Sequence, residues 1–153
     1  MLEHDFKTRP ELWNSQLTEL YWQSPHRQIF EPFTARVIGV HDGDTIKVRW
    51  SERDFDFPIR FAEISAPELN ERGGKESQKW LEGRILGKDV TVVPTPERVE
   101  KHGRLLAAVY HNGVSLNKAI VEAGHALLWE ERTRGLILDF IKNPILRIEE
   151  VLV

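Results

Sequence analysis

The fold is decided by the stretch His41-Asp42-Gly43-Asp44-Thr45, an acidic turn between two segments with the sequence of β-strands. Residues 33–40 precede it as an extended segment, and residues 46–50 follow it with apolar and basic side chains in alternation. That period of two is typical of a half-buried strand. Asp-Gly favours a hairpin because glycine accepts a positive φ without a Cβ clash. The stretch predicts a β-hairpin, and taken alone it indicates only a structural turn.

Three further strands and two helices are predicted downstream of this hairpin. The strands are residues 55–61, where Phe55, Phe57, Ile59 and Phe61 alternate with polar residues, and then 90–93 and 105–110. The helices run from Lys75 to Leu86, and from a cap at Ser115 to Gly124. Gly73-Gly74 is predicted to be a flexible joint, and residues 94–103 a charged loop. Short strands with helices between them predict an α+β fold, mainly a five-stranded OB-type barrel.

The segments on either side of this barrel are predicted to be helical. Thr8-Arg9-Pro10-Glu11 has the composition of a helix start, and apolar residues follow it at helical spacing as far as Tyr21. Residues 136–153 also carry apolar residues at helical spacing, interrupted by Pro144. We therefore divide the chain into an N-terminal helical extension (1–32), a central domain (33–130) and a C-terminal helical tail (131–153). The tail is expected to pack on the domain or on a partner.

The composition excludes some classes of site and leaves others open. The chain has 153 residues, a formal net charge of −3 and no cysteine, so disulfides and thiolate metal sites are excluded. No global basic field indicates a nucleic-acid partner, although a basic cleft is compatible with this charge. The N-terminus lacks the features of a secretory signal, and no apolar stretch is long enough to span a bilayer. We expect a cytoplasmic protein.

Four groups of charged residues stand out: Asp42 with Asp44, Arg60, Glu68 and Arg104. Each alone is typical of a turn or a solvated surface. Together they suit phosphodiester hydrolysis, which needs a carboxylate to hold a divalent cation, a second one to activate or orient water, and arginines to neutralise the phosphoryl oxygens. Arginine suits the last task because its planar guanidinium pairs with two oxygens and keeps its charge.

The order and spacing of several blocks resemble the staphylococcal-nuclease-like (thermonuclease) domain family. These blocks are Asp42-Gly43-Asp44-Thr45, Ile59-Arg60-Phe61, Ala66-Pro67-Glu68, Lys101-His102-Gly103-Arg104, and Val114-Ser115-Leu116-Asn117 with Gly124. The resemblance covers roughly Phe33 to Glu130. It implies an OB-fold and a calcium-dependent endonuclease that acts on DNA and RNA and typically leaves 3′-phosphate ends, with another divalent cation as an alternative to calcium.

The resemblance also implies a role for each matching residue. Asp44 and the backbone carbonyl of Ala66 correspond to metal ligands, with Ser65 as a further candidate. Glu68 corresponds to the general base or water-positioning residue, and Arg60 and Arg104 to the arginines that stabilise the transition state. The remaining candidates are assigned to substrate binding: Asp42, Thr45, Lys101 and His102.

One departure from the family pattern leaves two hypotheses open. Ser65 stands where the family usually has a second metal-binding aspartate, so metal affinity should be weaker; neighbouring Glu63 is an alternative carboxylate. The first hypothesis is a metal-dependent nuclease, favoured because Glu68 and both arginines are present. The second is a catalytically impaired module of the same fold that binds nucleic acid or protein. In either case the terminal helices are candidate surfaces for a partner or a dimer, and no membrane association is expected.

Overall fold

The computed structural model describes residues 4–133, and its main feature is a closed barrel. The strands are β1 (Phe33–Asp42), β2 (Thr45–Arg49), β3 (Phe57–Phe61), β4 (Ile64–Ser65), β5 (Asp89–Val99), β6 (Leu105–His111), β7 (Val114–Ser115) and β8 (Leu127–Leu128). The principal sheet has the strand order β3-β2-β1-β5-β6-β7, and a parallel pairing of β3 with β6 closes its first five strands into the barrel. The predicted five-stranded α+β barrel is confirmed.

In the described part of the chain, four short or medium α-helices accompany the barrel. They are α1 (Leu17–Leu20), which lies between the 3₁₀ turns Asn14–Gln16 and Tyr21–Gln23, then α2 (Gly74–Ile85), α3 (Leu116–Glu122) and α4 (Trp129–Thr133). Within residues 4–133 no helix is long and apolar enough to cross a membrane. The predicted C-terminal tail beyond residue 133 lies outside the described residues.

The core lies inside the barrel and beneath α2 and α3. Alternate residues of the strands point inward, as the period of two predicts. Phe57, Ile59 and Phe61 of β3 are buried, as are Leu81 of α2 and Ile120 of α3. The helices therefore close one side of the barrel and contribute to the same core.

Asn117 joins α3 to the two strands that close the barrel. Its amide nitrogen donates to the carbonyl oxygens of Ala62 (3.0 Å) and Ala107 (3.2 Å), and its amide oxygen accepts from the Val109 nitrogen (2.9 Å). Ser115 caps the same helix by accepting a hydrogen bond from the Lys118 nitrogen, as predicted. A buried amide with all these partners holds the β3–β6 seam in register.

Several element boundaries differ from the sequence prediction. Strand β5 extends to Val99, where a charged loop was predicted from residue 94, because β6 pairs with residues 91–94 and again with Val99 across an irregularity between them. The N-terminal helical segment begins at Asn14, not near Thr8, whose hydroxyl donates to the Asp5 carboxylate instead. A short helix, Trp129–Thr133, crosses the boundary that was predicted between the central domain and the tail.

Two glycine predictions were wrong in their physical reason. Gly43 has no positive φ; a Cβ there would lie 2.7 Å from the Ala66 Cβ and 2.9 Å from the Ser77 Cβ, so close packing requires the glycine. Gly73-Gly74 is a packed helix start and not a loose joint. Gly73 has φ +85°, and a Cβ on Gly74 would lie 1.8 Å from the Glu68 carbonyl oxygen.

The N-terminal extension is bound to the barrel through buried polar contacts. Arg53 pairs with both carboxylate oxygens of Glu11, at 2.7 and 2.8 Å, and both side chains are buried. Arg98 donates to the carbonyl oxygens of Ile29 (2.6 Å) and Leu12 (3.0 Å). Tertiary contacts of this kind, and not an amphipathic helix, hold the extension in place.

Candidate active site

An open cavity of about 300 Å³ lies where the acidic turn meets the β3–β6 seam. Every residue predicted for the site lines it except Thr45, which is buried beside Asp44. Its lining consists of Asp42, Asp44, Arg60, Ser65, Ala66, Glu68, Glu71, Glu100, Lys101, His102, Arg104 and Trp129. Residues that are far apart in the chain therefore meet in one place.

Strand register explains this convergence. Thr45, the first residue of β2, pairs with Arg60 of β3, so the acidic turn faces the arginine. Ile59 of β3 pairs with Leu105 of β6, which places Arg104 at the mouth of the barrel beside them. Closure of the barrel, and not the local hairpin, brings the two arginines together.

Both carboxylate oxygens of Asp44 have partners within the site. One oxygen accepts from the Ala66 backbone nitrogen at 2.9 Å and lies 3.3 Å from an Arg60 nitrogen. The other accepts from the Thr45 hydroxyl at 3.0 Å. These bonds hold a buried carboxylate in one orientation toward the cavity.

Asp42 lies next to Asp44, and its pKa is shifted. Its side chain accepts from the Asp44 backbone nitrogen at 3.1 Å. Burial, followed by the hydrogen bond and the charge of Asp44, raises the pKa of Asp42 to about 7. Two adjacent buried carboxylates repel each other when both are ionised. A cation or a proton bound between them relieves this repulsion.

Arg104 is held by Glu100 in a bidentate pair. Its Nε and one terminal nitrogen each donate to Glu100 at 3.1 Å, and another terminal nitrogen lies 3.4 Å from the Thr45 hydroxyl. Burial acts to raise the pKa of Glu100, but the hydrogen bonds and charge of Arg104 hold it below its usual value. Glu100 also accepts from the backbone nitrogens of His102 and Arg104, so it shapes the whole turn.

Glu68 lies in the short loop between β4 and α2, and the first residue of α2 packs against this loop. Its side chain is exposed, its backbone nitrogen donates to the Glu71 carboxylate at 2.8 Å, and its carbonyl oxygen lies against Gly74. The carboxylate is therefore accessible to solvent on a fixed backbone, as a residue that handles water requires.

The structure separates Ser65 from the alternative carboxylate Glu63. Ser65 lines the cavity, whereas Glu63 is exposed, has φ +66° and lines a neighbouring cavity. The backbone turn at Glu63 directs its side chain away from Asp44. Glu63 therefore does not replace the aspartate that the family usually has at position 65.

Within residues 4–133 no group of three acidic, histidine or cysteine side chains forms a ready metal cage. The oxygen donors that line the cavity include the Asp42 and Asp44 carboxylates and the Ser65 hydroxyl, and Ala66 lies beside them. This set fits a hard divalent cation that keeps several waters and takes further oxygens from a substrate phosphate. It does not fit a cation enclosed by protein ligands alone.

Glu71, Glu100 and Trp129 line the cavity but were not singled out by the sequence analysis. A carboxylate four residues before Arg104 was the available signal for Glu100, but the bidentate pair depends on how the turn folds. Trp129 is about half exposed and is placed by the β4–β8 pairing and by its backbone nitrogen, which donates to the Glu63 carbonyl at 2.7 Å. No local pattern predicts that position.

Comparison with known proteins agrees with this geometry. The family model described as "Staphylococcal nuclease homologue" matches residues 58–136. The chain belongs to the staphylococcal nuclease homologue family. Two relatives from Escherichia coli, one of them from O157:H7, are 35% identical over 109 residues, which cover 71% of this chain and 69% of each relative.

A Haemophilus influenzae relative is 30% identical over 101 residues, which cover 66% of this chain and 55% of the relative. All three of these relatives carry the name "Uncharacterized endonuclease". The family assignment confirms the resemblance found in the motifs, while the roles of individual residues stay predictions.

Proposed function

We propose that this protein is a metal-dependent nuclease that hydrolyses phosphodiester bonds of DNA, RNA or both. The observation that carries the proposal is the meeting of Asp44, Arg60, Glu68 and Arg104 around one open cavity. Membership of the family and the endonuclease names of its relatives support the same reaction class. We favour calcium as the cation because the family resemblance implies it; the oxygen donors of the cavity suit calcium and magnesium alike.

The roles follow from the surroundings of each side chain. Glu68 accepts a proton from a water molecule, whose oxygen forms a bond to phosphorus while the bond to the leaving oxygen breaks; that oxygen then takes a proton from solvent. Arg60 and Arg104 neutralise charge on the phosphoryl oxygens. Both arginines are already oriented by acidic partners, Asp44 and Glu100, so little reorganisation is needed when a phosphate enters.

Asp44 and the Ala66 carbonyl are the proposed metal ligands. We place Asp42 on the metal side also, because a buried carboxylate beside Asp44 repels phosphate and attracts a cation. A bound divalent cation would supply positive charge that polarises the phosphoryl group. Lys101 and His102 line the opposite side of the cavity and are the proposed phosphate-binding residues.

A second cavity of about 630 Å³ adjoins the first and suits a nucleobase. Phe61, Ile64, Leu106 and Trp129 give it apolar walls, and it shares Arg60, Glu100, Lys101 and Trp129 with the first cavity. Trp129, which is about half exposed, offers a face on which a base can stack, and Arg60 and Lys101 lie beside it. An exposed aromatic next to phosphate-binding cations is the usual arrangement for single-stranded nucleic acid. We therefore propose single-stranded regions as the preferred substrate.

The test is cleavage of single-stranded DNA and RNA with calcium, magnesium, manganese or chelator, using the wild type, Arg104→Ala, Glu68→Gln and the control Arg36→Ala. Arg36 is an exposed arginine paired with Asp89 on the barrel surface. We expect metal-dependent cleavage that falls by about 100-fold or more in the two site variants. The control should cleave at the wild-type rate.

The alternative is a binding module without catalysis, and Ser65 is the observation that favours it. Binding of DNA or RNA without cleavage under any metal condition would support that module and contradict the nuclease proposal. Equal rates for Arg104→Ala and Arg36→Ala would contradict the role of Arg104.

A further inference from the structure

Arg9, in the N-terminal extension, lies directly against the turn that carries the proposed phosphate-binding residues. A Cβ placed on Gly103 would lie 3.1 Å from the Arg9 Cγ and 3.3 Å from its Cβ and Cδ. Gly103 has φ +84°, so the glycine is required by its backbone conformation and also leaves room for the arginine stem. Its neighbours His102 and Arg104 both line the active-site cavity.

The segment that carries Arg9 is fixed along this side of the barrel. We call residues 9–14 the N-terminal strap. The indole nitrogen of Trp13 donates to the Glu100 carbonyl at 3.2 Å, and the Asn14 amide donates to the Pro96 carbonyl at 2.9 Å. The strap therefore follows the outer edge of the same turn.

Buried pairs determine where the strap lies. Glu11 is buried in its pair with Arg53, and the Leu12 carbonyl accepts from Arg98. The Arg9 backbone is held as well, since its nitrogen donates to the Asp5 carbonyl at 3.0 Å. An arginine on such a segment is presented to solvent from a defined position and not from a loose terminus.

The side chains that line the cavity carry more negative than positive charge. Asp42, Asp44, Glu68, Glu71 and Glu100 line it, against Arg60, Lys101 and Arg104 as the cationic side chains other than histidine. Both lining arginines are paired with acidic residues. A polyanion approaching this face gains affinity from cations placed around the rim.

We regard Arg9 as one such additional cation. It is exposed, and its guanidinium has no hydrogen-bond or ion-pair partner within residues 4–133. Asp5 and Glu11, the acidic residues closest to it in sequence, are engaged with Thr8 and Arg53 respectively.

We propose that the N-terminal strap forms part of the nucleic-acid-binding face and that Arg9 contacts a phosphate next to the one being cut. This inference rests on the proposed function. Its chemistry is that of a positioning contact: the guanidinium pairs with a non-scissile phosphate and steers the strand across His102 and Arg104. Arg9 takes no part in bond breaking.

The experiment compares Arg9→Gln with Arg27→Gln, which removes an equal charge from an exposed arginine of the same extension that pairs with Glu52. Binding of a fluorescent single-stranded DNA oligonucleotide is measured by anisotropy in chelator over a range of salt concentrations. Arg9→Gln should weaken binding about fivefold and lower the slope of log affinity against log salt by about 0.7, the loss of one phosphate contact. Arg27→Gln should match the wild type, and Arg9→Lys should keep most of the slope.

The outcomes separate this inference from the proposal on which it rests. If the wild type binds and cleaves but Arg9→Gln and Arg27→Gln bind equally well, the strap is only structural and the inference is wrong. If the wild type neither binds nor cleaves nucleic acid, the proposed function fails and the inference fails with it. Thermal unfolding of each variant serves as the control for folding, and Arg9→Lys maintains the comparison if Arg9→Gln is less stable.

Discussion

At the scale of single residues, the main feature of the site is two pairs of oppositely charged side chains. Asp44 is paired with Arg60, and Arg104 is paired with Glu100. Each pair is mostly buried, so the partner fixes the direction of the functional group as well as its charge state. Position 65 is the exception, because a hydroxyl lines the cavity where the family pattern usually has an aspartate.

Changing Ser65→Asp should raise calcium affinity about tenfold, because affinity for calcium rises with the number of carboxylate ligands. Ser65 lines the cavity from strand β4, whose backbone is held by pairing with Leu127, so the new side chain starts from a fixed point. Calorimetric titration of the unliganded protein with calcium measures the effect without reference to activity. Ser65→Asn is the control of similar size without the charge. Equal calcium affinity of the two variants would show that position 65 does not face the metal site.

At the scale of elements, the position of Glu68 depends on the first residue of α2. The loop between β4 and α2 turns back on itself, and the Gly74 nitrogen donates to the Glu71 carbonyl at 3.1 Å. The Glu68 carbonyl oxygen occupies the space where any other residue at position 74 would place its Cβ. The start of α2 and the position of Glu68, the proposed base, are therefore determined by the same packing.

Gly74→Ala should destabilise the protein by about 1–3 kcal/mol, because the methyl group collides with backbone that cannot move without displacing Glu68. Gly83→Ala is the matched control on the same helix, since a Cβ there meets nothing within 4 Å. That control should raise the free energy of unfolding by about 0.5–1 kcal/mol, as alanine reduces the entropy lost on folding. Urea denaturation measures both changes. Unchanged stability in Gly74→Ala would mean that the loop is not packed as described.

At the scale of the whole molecule, the N-terminal extension and the barrel form one folded unit within residues 4–133. Arg53 is central to it: the guanidinium pairs with Glu11, donates to the Arg27 carbonyl at 3.1 Å and lies 4.4 Å from the centre of the Phe57 ring. Arg98 of β5 adds a second buried link by donating to the Leu12 carbonyl at 3.0 Å. The extension thus shares its core with the barrel.

Glu11→Gln should lower the free energy of unfolding by about 3–5 kcal/mol, because it leaves the buried charge of Arg53 without its counter-charge. Glu52→Gln removes the acidic member of an exposed pair, in which both side chains are at least half accessible, and should leave stability nearly unchanged. Chemical denaturation of both variants gives the comparison. A similar small loss in each would show that the extension contributes little to the stability of the barrel.

The elements that were predicted correctly are those whose pattern is local. Alternation in residues 57–61 and the cap at Ser115 are decided by neighbours in sequence, so periodicity and capping rules found them. The extension of β5 to Val99 was missed, because its prolines and charges are unfavourable for a strand until β6 supplies hydrogen-bond partners. The N-terminal extension was expected to be a helix beside the domain. Its actual position depends on contacts with distant residues, such as those of Arg53 and Arg98, which a local pattern does not reveal.

The sequence by itself determined the barrel class, the family and the ordered set of charges around the acidic turn, because these depend on periodicity and on motif order. Only the tertiary structure decided which residues meet. Closure of β3 against β6 brings Arg60 and Arg104 to the same cavity, Glu63 is turned away from it, and Arg9 is laid against Gly103. These contacts join residues far apart in the chain, and their geometry follows from packing and register that no local pattern encodes.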